Sequence, residues 1–103
     1  MERLKFLNTY VDNLSMDETV KAVEEYIIKQ QPLHLIGINA DKVNTLKKNE
    51  RLRKIVNACE IINADGVSIV WASGKLHKPL KERVAGVDLM QELLKLSDKK
   101  AYK

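Results

Sequence analysis

The sequence holds one cysteine, Cys59, so no internal disulfide can form and no cysteine cluster marks a zinc site. Aromatic residues are scarce: Phe6, Tyr10, Tyr26, Trp71 and Tyr102 are all there are, too few for a stacking surface on single-stranded nucleic acid. No long hydrophobic run occurs; the stretch Ile69–Ala72, with Val67 just before it, is far short of a bilayer span. Met1–Phe6 lacks the apolar core of a signal peptide. No GxGxxG, Walker loop or metal-ligand spacing appears, so a standard nucleotide fingerprint is absent. Together these absences point to a reducing, cytosolic setting. The length of 103 residues allows one small domain and excludes two separate cores.

What is present is a globular composition with an uneven excess of base. Lys and Arg number 18 against 14 Asp and Glu, a net charge of +4. Lys42, Lys47, Lys48, Arg51, Arg53 and Lys54 crowd one stretch, and Lys75, His77, Lys78, Lys81 and Arg83 another. Solvated helix and loop faces account for both; attraction to nucleic acid, an acidic membrane surface or a diphosphate is the sharper alternative.

Local patterns order the chain. Residues 3–12 alternate weakly, as two short strands around a turn would. Ser15 followed by Glu18 is a capping box, and Met16, Val20, Val23 and Ile27 continue it as a helix that Pro32 limits near Gln30–Gln31. Leu33–Ile38 and Glu60–Ala64 read as buried parallel strands. Between them lies a helical stretch with a break near Asn49. Val67–Leu76 is apolar nearly all round and reads as a buried helix. The last helix opens at Gly86, with Val87, Met90 and Leu94 as one stripe and Leu89, Leu93 and Leu96 widening it. Ala101–Lys103 looks like the first step of a further strand. Alternating strands and helices imply an α/β domain of Rossmann-like type, a parallel sheet with helices on both faces.

Ligands of such folds bind beyond the carboxyl ends of the strands, where Asn39-Ala40-Asp41 and Asp65-Gly66 fall. Asp65, between an apolar strand and a hydrophobic helix, is the leading candidate to take a proton from a hydroxyl; the plain alternative is a helix cap. Arg83 offers a fork of donors suited to phosphate oxygens, or else pairs at the surface with Glu82 or Asp88. Asn39 can bond a sugar or uracil, or make a local turn. Asp41 and Asp88 read as caps, His34 as a satisfied core or edge histidine, and His77 as solvated. Cys59 reads as a small buried hydrophobe and Trp71 as core.

Asn39-Ala40-Asp41, Asn63-Ala64-Asp65-Gly66-Val67 and the segment Pro79-Leu80-Lys81-Glu82-Arg83-Val84-Ala85-Gly86-Val87-Asp88-Leu89-Met90 together resemble the WecG/TagA/CpsF family of bacterial glycosyltransferases. The resemblance runs over almost the whole chain. It implies an inverting transfer of a sugar, N-acetylmannosamine or another hexose, from a UDP-sugar to an undecaprenyl-diphosphate-linked sugar. Such reactions serve teichoic acid, capsule or exopolysaccharide synthesis at the inner face of the cell membrane. It further implies that no metal or other cofactor is needed. By position, Asp65 matches the proposed general base, Arg83 the diphosphate-holding arginine, and Asn39 the strand-end asparagine of the pocket. Gly37 and Gly66 fall among the substrate-binding positions. Gly37 stands near where the teichoic acid branch has a threonine, so the donor sugar differs or the ligand approaches the backbone.

The family continues into a second half and a C-terminal appendage that meets the membrane. Residues 1–103 are therefore expected to be a single α/β domain, the N-terminal portion of such an enzyme, with little activity alone. Nucleic acid is not an expected partner, and self-association through an uncovered edge is compatible with this reading. The alternative is a non-catalytic basic module binding nucleic acid or an acidic membrane surface.

Overall fold

The structure is a computed structural model, described here for residues 3–75 and 79–100. It opens with a hairpin of β1 (Arg3–Phe6) and β2 (Thr9–Asp12), antiparallel in the register Arg3↔Asp12 to Phe6↔Thr9. The two-residue loop Leu7-Asn8 closes it, with Leu7 in the left-handed region at φ 54°. Then come α1 (Met16–Ile28), β3 (Leu35–Ile38), α2 (Ala40–Lys48), α3 (Glu50–Asn57), β4 (Ile61–Ala64), α4 (Val67–Lys75) and α5 (Gly86–Lys100). β3 and β4 pair in parallel, Leu35 against Ile61 through Ile38 against Ala64.

The expected parallel sheet is present only as this pair. The hairpin forms a separate antiparallel sheet, so the described residues make a compact α/β domain of two small sheets rather than one continuous Rossmann-like sheet. The hairpin joins β4 by a side chain instead of a ladder: Asp12 Oδ2 accepts the Ile62 N–H at 2.7 Å. Arg3 holds the same carboxylate, donating from Nε at 2.7 Å and Nη2 at 2.9 Å, and reaches the Cys59 and Glu60 carbonyls at 3.0 Å each.

Alternation along β3 and β4 divides the core. Ile38, Ile62 and Ala64 face the hairpin residues Phe6 and Val11, together with Val43, Leu46, Val56 and Ile69 from α2, α3 and α4. Ile61 and Leu35 face Leu14, Val23 of α1 and Leu93 of α5. Both strand faces are covered, which is why β4 is buried along its whole length.

Local signals explain the helix ends. The Ser15–Glu18 capping box forms with both bonds in place. Helix α1 ends at Ile28, ahead of the Gln30–Gln31 expected from Pro32, because Gln30 turns left-handed at φ 54°. Asn49 breaks α2 from α3: its N–H donates to the Thr45 carbonyl while its side chain accepts from Leu52 N–H.

Two helices turn the other way from expectation. α4 is not buried all round, for Val67 and Trp71 are 68% and 66% exposed. On α5 the face carrying Leu89, Leu93 and Leu96 packs inward, and the stripe Val87, Met90 and Leu94 faces out. His34 is exposed beside Glu60 rather than in the core, and Cys59 is only partly buried. His77 and Ala101–Lys103 lie outside the described residues.

The segment 79–85 is strapped across the start of α1. Lys81 N–H donates to Asn13 Oδ1 at 2.8 Å, Met16 N–H donates to Glu82, and Lys81 Nζ bonds both Glu18 oxygens at 2.9 Å. The Lys81 hydrogen bond, helped by the Ser15 amide, holds the Glu18 carboxyl at about 2 instead of its ordinary 4.5. A carboxyl depressed on folding stabilises the fold above its unfolded value and loses that contribution as pH falls. The strap should therefore loosen as pH drops from about 4.5 to about 2. Thermal midpoints of the native chain and Glu18→Gln, different at neutral pH, should converge across that window. A constant difference would rule out this linkage.

Candidate active site

The carboxyl ends of β3 and β4 meet the start of α5 and the end of the 79–85 strap. Asp65 is the first residue past β4, and its N–H donates to the Ile38 carbonyl at 2.9 Å, extending the parallel ladder by one bond. That bond fixes Asp65 against β3. A Cβ placed on Gly37 would lie 2.9 Å from both Cβ and Oδ2 of Asp65. Gly37 has no positive φ, so its glycine serves the close approach of the carboxylate and not a special backbone angle.

Gly66 has a similar reason. A Cβ there would stand 3.1 Å from the Asn39 Cβ and 3.2 Å from its Cα, so the start of α4 presses directly on the β3–α2 junction. Asn39 caps α2, its Oδ1 accepting from Lys42 N–H at 2.9 Å. The local-turn reading of Asn39 is thus realised, while the same contact with Gly66 keeps the residue beside Asp65. Gly86, the first residue of α5, also borders the carboxylate, 3.7 Å from Oδ2 to a Cβ placed on it.

Arg83 comes from the strap. Val84 N–H donates to the Ala64 carbonyl at 2.7 Å, anchoring the segment to the end of β4. Arg83 then turns back: Nε donates to the Asp65 carbonyl at 2.6 Å, and Nη2 stands 3.9 Å from Oδ1. The surface pairing with Glu82 or Asp88 does not form; Glu82 is engaged by the Met16 amide. Both side chains remain reachable, Arg83 at 47% and Asp65 at 31% exposed. Nor does Asp65 cap α4, since the Gly66 carbonyl accepts the first helical bonds, from Ile69 and Val70.

The structure therefore gathers Gly37, Asn39, Asp65, Gly66 and Arg83 at one end of the parallel pair. It adds two residues that sequence reasoning passed over. Lys42 reaches back to the Gly37 carbonyl at 2.7 Å, a five-residue return hidden within a general run of lysines. Gly86 was legible only as a helix start. A carboxylate, a guanidinium with unused Nη donors and a helix N-terminus together suit a reaction that needs a proton acceptor and a place for phosphate oxygens. Among the described residues no group of three or more His, Cys, Asp or Glu gathers to hold a metal ion, and no helix is long and apolar enough to cross a membrane.

The family described as "Glycosyl transferase WecG/TagA/CpsF family" matches residues 4–103. The chain belongs to this family. Similar proteins include the N-acetylglucosaminyldiphosphoundecaprenol N-acetyl-beta-D-mannosaminyltransferases of Staphylococcus aureus strains NCTC 8325 / PS 47 and COL. Each is 29% identical over 97 residues, 92% of this chain. The chain spans only 38% of the length of these relatives. Within the WecG/TagA/CpsF family the matched region includes the whole constellation from Gly37 to Gly86.

Proposed function

We propose that the chain is the N-terminal, base-bearing part of a glycosyltransferase that moves a hexose from a UDP-sugar to a lipid-diphosphate-linked sugar. The observation that carries this is the Asp65–Arg83 pair at the shared carboxyl ends of β3 and β4, in a chain of this family. Asp65 takes the proton of the acceptor hydroxyl as that oxygen attacks the anomeric carbon. The carbon–oxygen bond to UDP breaks, and UDP leaves with the electron pair. Attack opposite the leaving group inverts the centre. Arg83, released from its loose contact with the carboxylate, binds a diphosphate through its free Nη donors and supplies positive charge without a metal. Asn39, whose Oδ1 caps α2, offers its Nδ2 donors to a sugar or uracil. The acceptor places the reaction at the inner face of the cell membrane, in wall or surface polysaccharide synthesis.

The relatives named above are mannosaminyltransferases, and Gly37 bears on whether this chain shares their donor. With Asp65 filling the space over Gly37, a side chain at position 37 has no room in the present arrangement. Position 37 therefore offers no hydroxyl to a donor, and the reading we propose is a hexose other than N-acetylmannosamine.

The test uses the full-length protein with a panel of UDP-sugars and an N-acetylglucosaminyl-diphospho-polyprenol acceptor, reading UDP release. Release that requires the acceptor is expected with one donor. Arg83→Ala should lower kcat/KM by about 10²–10³-fold, as loss of a transition-state charge donor does. Release with no donor of the panel would reject the transferase reading, and unaltered kinetics in Arg83→Ala would reject the role of Arg83 alone.

A further inference from the structure

A cavity of about 500 Å³ opens between α2, α4 and the hairpin tip. Both helices start at the carboxyl end of a parallel strand, so they run in the same direction, and their facing residues change character along it. On α2, Ala40, Val43 and Asn44 line the cavity, and Lys47 and Lys48 follow one turn on. On α4, Val67 and Trp71 line it, and Lys75 follows one turn on. Leu7 closes the third side.

The apolar part of this surface is turned to solvent: Val67 is 68% exposed, Trp71 66% and Leu7 62%. Leu7 is held there at φ 54°, a conformation that a leucine side chain opposes. Lys75 Nζ stands 5.4 Å from the Trp71 ring centroid, pairing an aromatic ring with a cation at the boundary of the patch. Among the described residues Lys47, Lys48 and Lys75 have no ion-pair partner.

An exposed tryptophan and aliphatic tip bordered by unpaired lysines is the composition of a surface that lies in a lipid interface. A second protein copy would bring three more unpaired lysines to the contact, whereas an anionic headgroup layer neutralises them. We infer that the Leu7–Val67–Trp71 patch, with Lys47, Lys48 and Lys75 around it, seats the chain on an anionic bilayer. This membrane contact lies in the N-terminal domain itself, apart from any C-terminal appendage. It begins at residues immediately following Asn39 and Gly66, so the seat adjoins the candidate active site.

Trp71 is the sole tryptophan of the chain and reports on the patch directly. Its fluorescence is followed as the chain is titrated with phosphatidylglycerol–phosphatidylcholine vesicles, with vesicle sedimentation in parallel. A blue shift and co-sedimentation are expected, weakened on the order of a hundredfold on pure phosphatidylcholine from the loss of three lysine contacts. Leu7→Asp and Lys75→Glu should each weaken binding while circular dichroism stays native. Asp65→Asn should bind vesicles like the native chain whether or not the transferase reading holds, so the two ideas fail separately. No shift with anionic vesicles overturns the inference. So does a shift that grows with protein concentration in the absence of lipid, which assigns the patch to a second copy. A tryptophan already shielded from quenchers in the free full-length protein overturns it as well.

Discussion

Asp65→Asn should lower turnover of the full-length enzyme by about 10²–10⁴-fold, the range that a positioned general base contributes. The substitution keeps the size and shape of the side chain and removes its capacity to hold a proton. Both backbone bonds at the position survive, the N–H to Ile38 and the carbonyl to Arg83 Nε. Among the described residues the only ion pair lost is the 3.9 Å contact with Arg83, between groups that water partly reaches. Such pairs contribute between zero and about 1 kcal/mol, so the thermal midpoint should hardly move. A large fall in kcat at an unchanged midpoint separates a chemical role from a structural one. Wild-type rates in Asp65→Asn would remove the residue from the mechanism.

Gly37→Ala approaches the same carboxylate from the other side. The added Cβ and the Asp65 Cβ would be 2.9 Å apart, and neither can rotate away because each is fixed to paired backbone. The strand end must shift, carrying the base with it. Misplacing a reacting group by about 1 Å costs about 10²-fold in rate. Gly37→Ala should therefore lose both activity and stability, where Asp65→Asn loses activity alone. Equal midpoints for the two variants would show that β3 accommodates the methyl group.

Some of this arrangement was legible in the residues and some was not. The capping box at Ser15, the break at Asn49 and the two parallel strands follow from signals carried by adjacent residues, and they formed as expected. Helix α4 gave no such guidance. Val67–Lys75 has almost no polar face, so periodicity cannot say which side is turned out. The neighbours decide it: Ile69 and Ser73 go inward, and Trp71 is left outside. On α5 two apolar stripes compete, and contact with Val23 and Leu33 on the α1 side selects Leu89 and Leu93. At the site, the residue types were readable but their contacts were not. Gly37 reads as a missing hydroxyl or a place where a ligand nears the backbone, and the structure sets over it the carboxylate of Asp65, a residue more than twenty positions further along. Position-by-position patterns carry no record of such a long-range approach.

Asp12→Ala should destabilise the fold by about 3–5 kcal/mol, the cost of stripping one partner from a buried ion pair. The Asp12 side chain is 0% exposed and Arg3 is 32% exposed, so the pair sits at the edge of the interior with its acid fully inside. Three donors converge on the carboxylate: Arg3 Nε and Nη2, and the backbone N–H of Ile62. Alanine removes the acceptor of all three; Arg3 Nη2 keeps the Cys59 and Glu60 carbonyls, but the Ile62 N–H has no water to turn to because the residue is wholly buried. Since small domains are stable by only about 5–15 kcal/mol, urea melts should find Asp12→Ala largely unfolded or close to it. Asp12→Asn keeps the shape but turns one acceptor into a donor facing donors, and should cost an intermediate amount, about 1–3 kcal/mol. Added salt should not mimic either variant, because a buried acid is poorly screened. In a double-mutant cycle with Arg3→Ala, the two losses should be far from additive, since each single change already breaks the same contact. Additive losses, or a cost below about 1 kcal/mol for Asp12→Ala, would mean that apolar packing by Phe6 and Val11 holds the hairpin on β4 without the acid. The difference matters beyond the hairpin. Ile62, which Asp12 grips, lies three residues before Asp65 on the strand that carries it, so a loosened hairpin frees the edge of β4 that sets the position of the base.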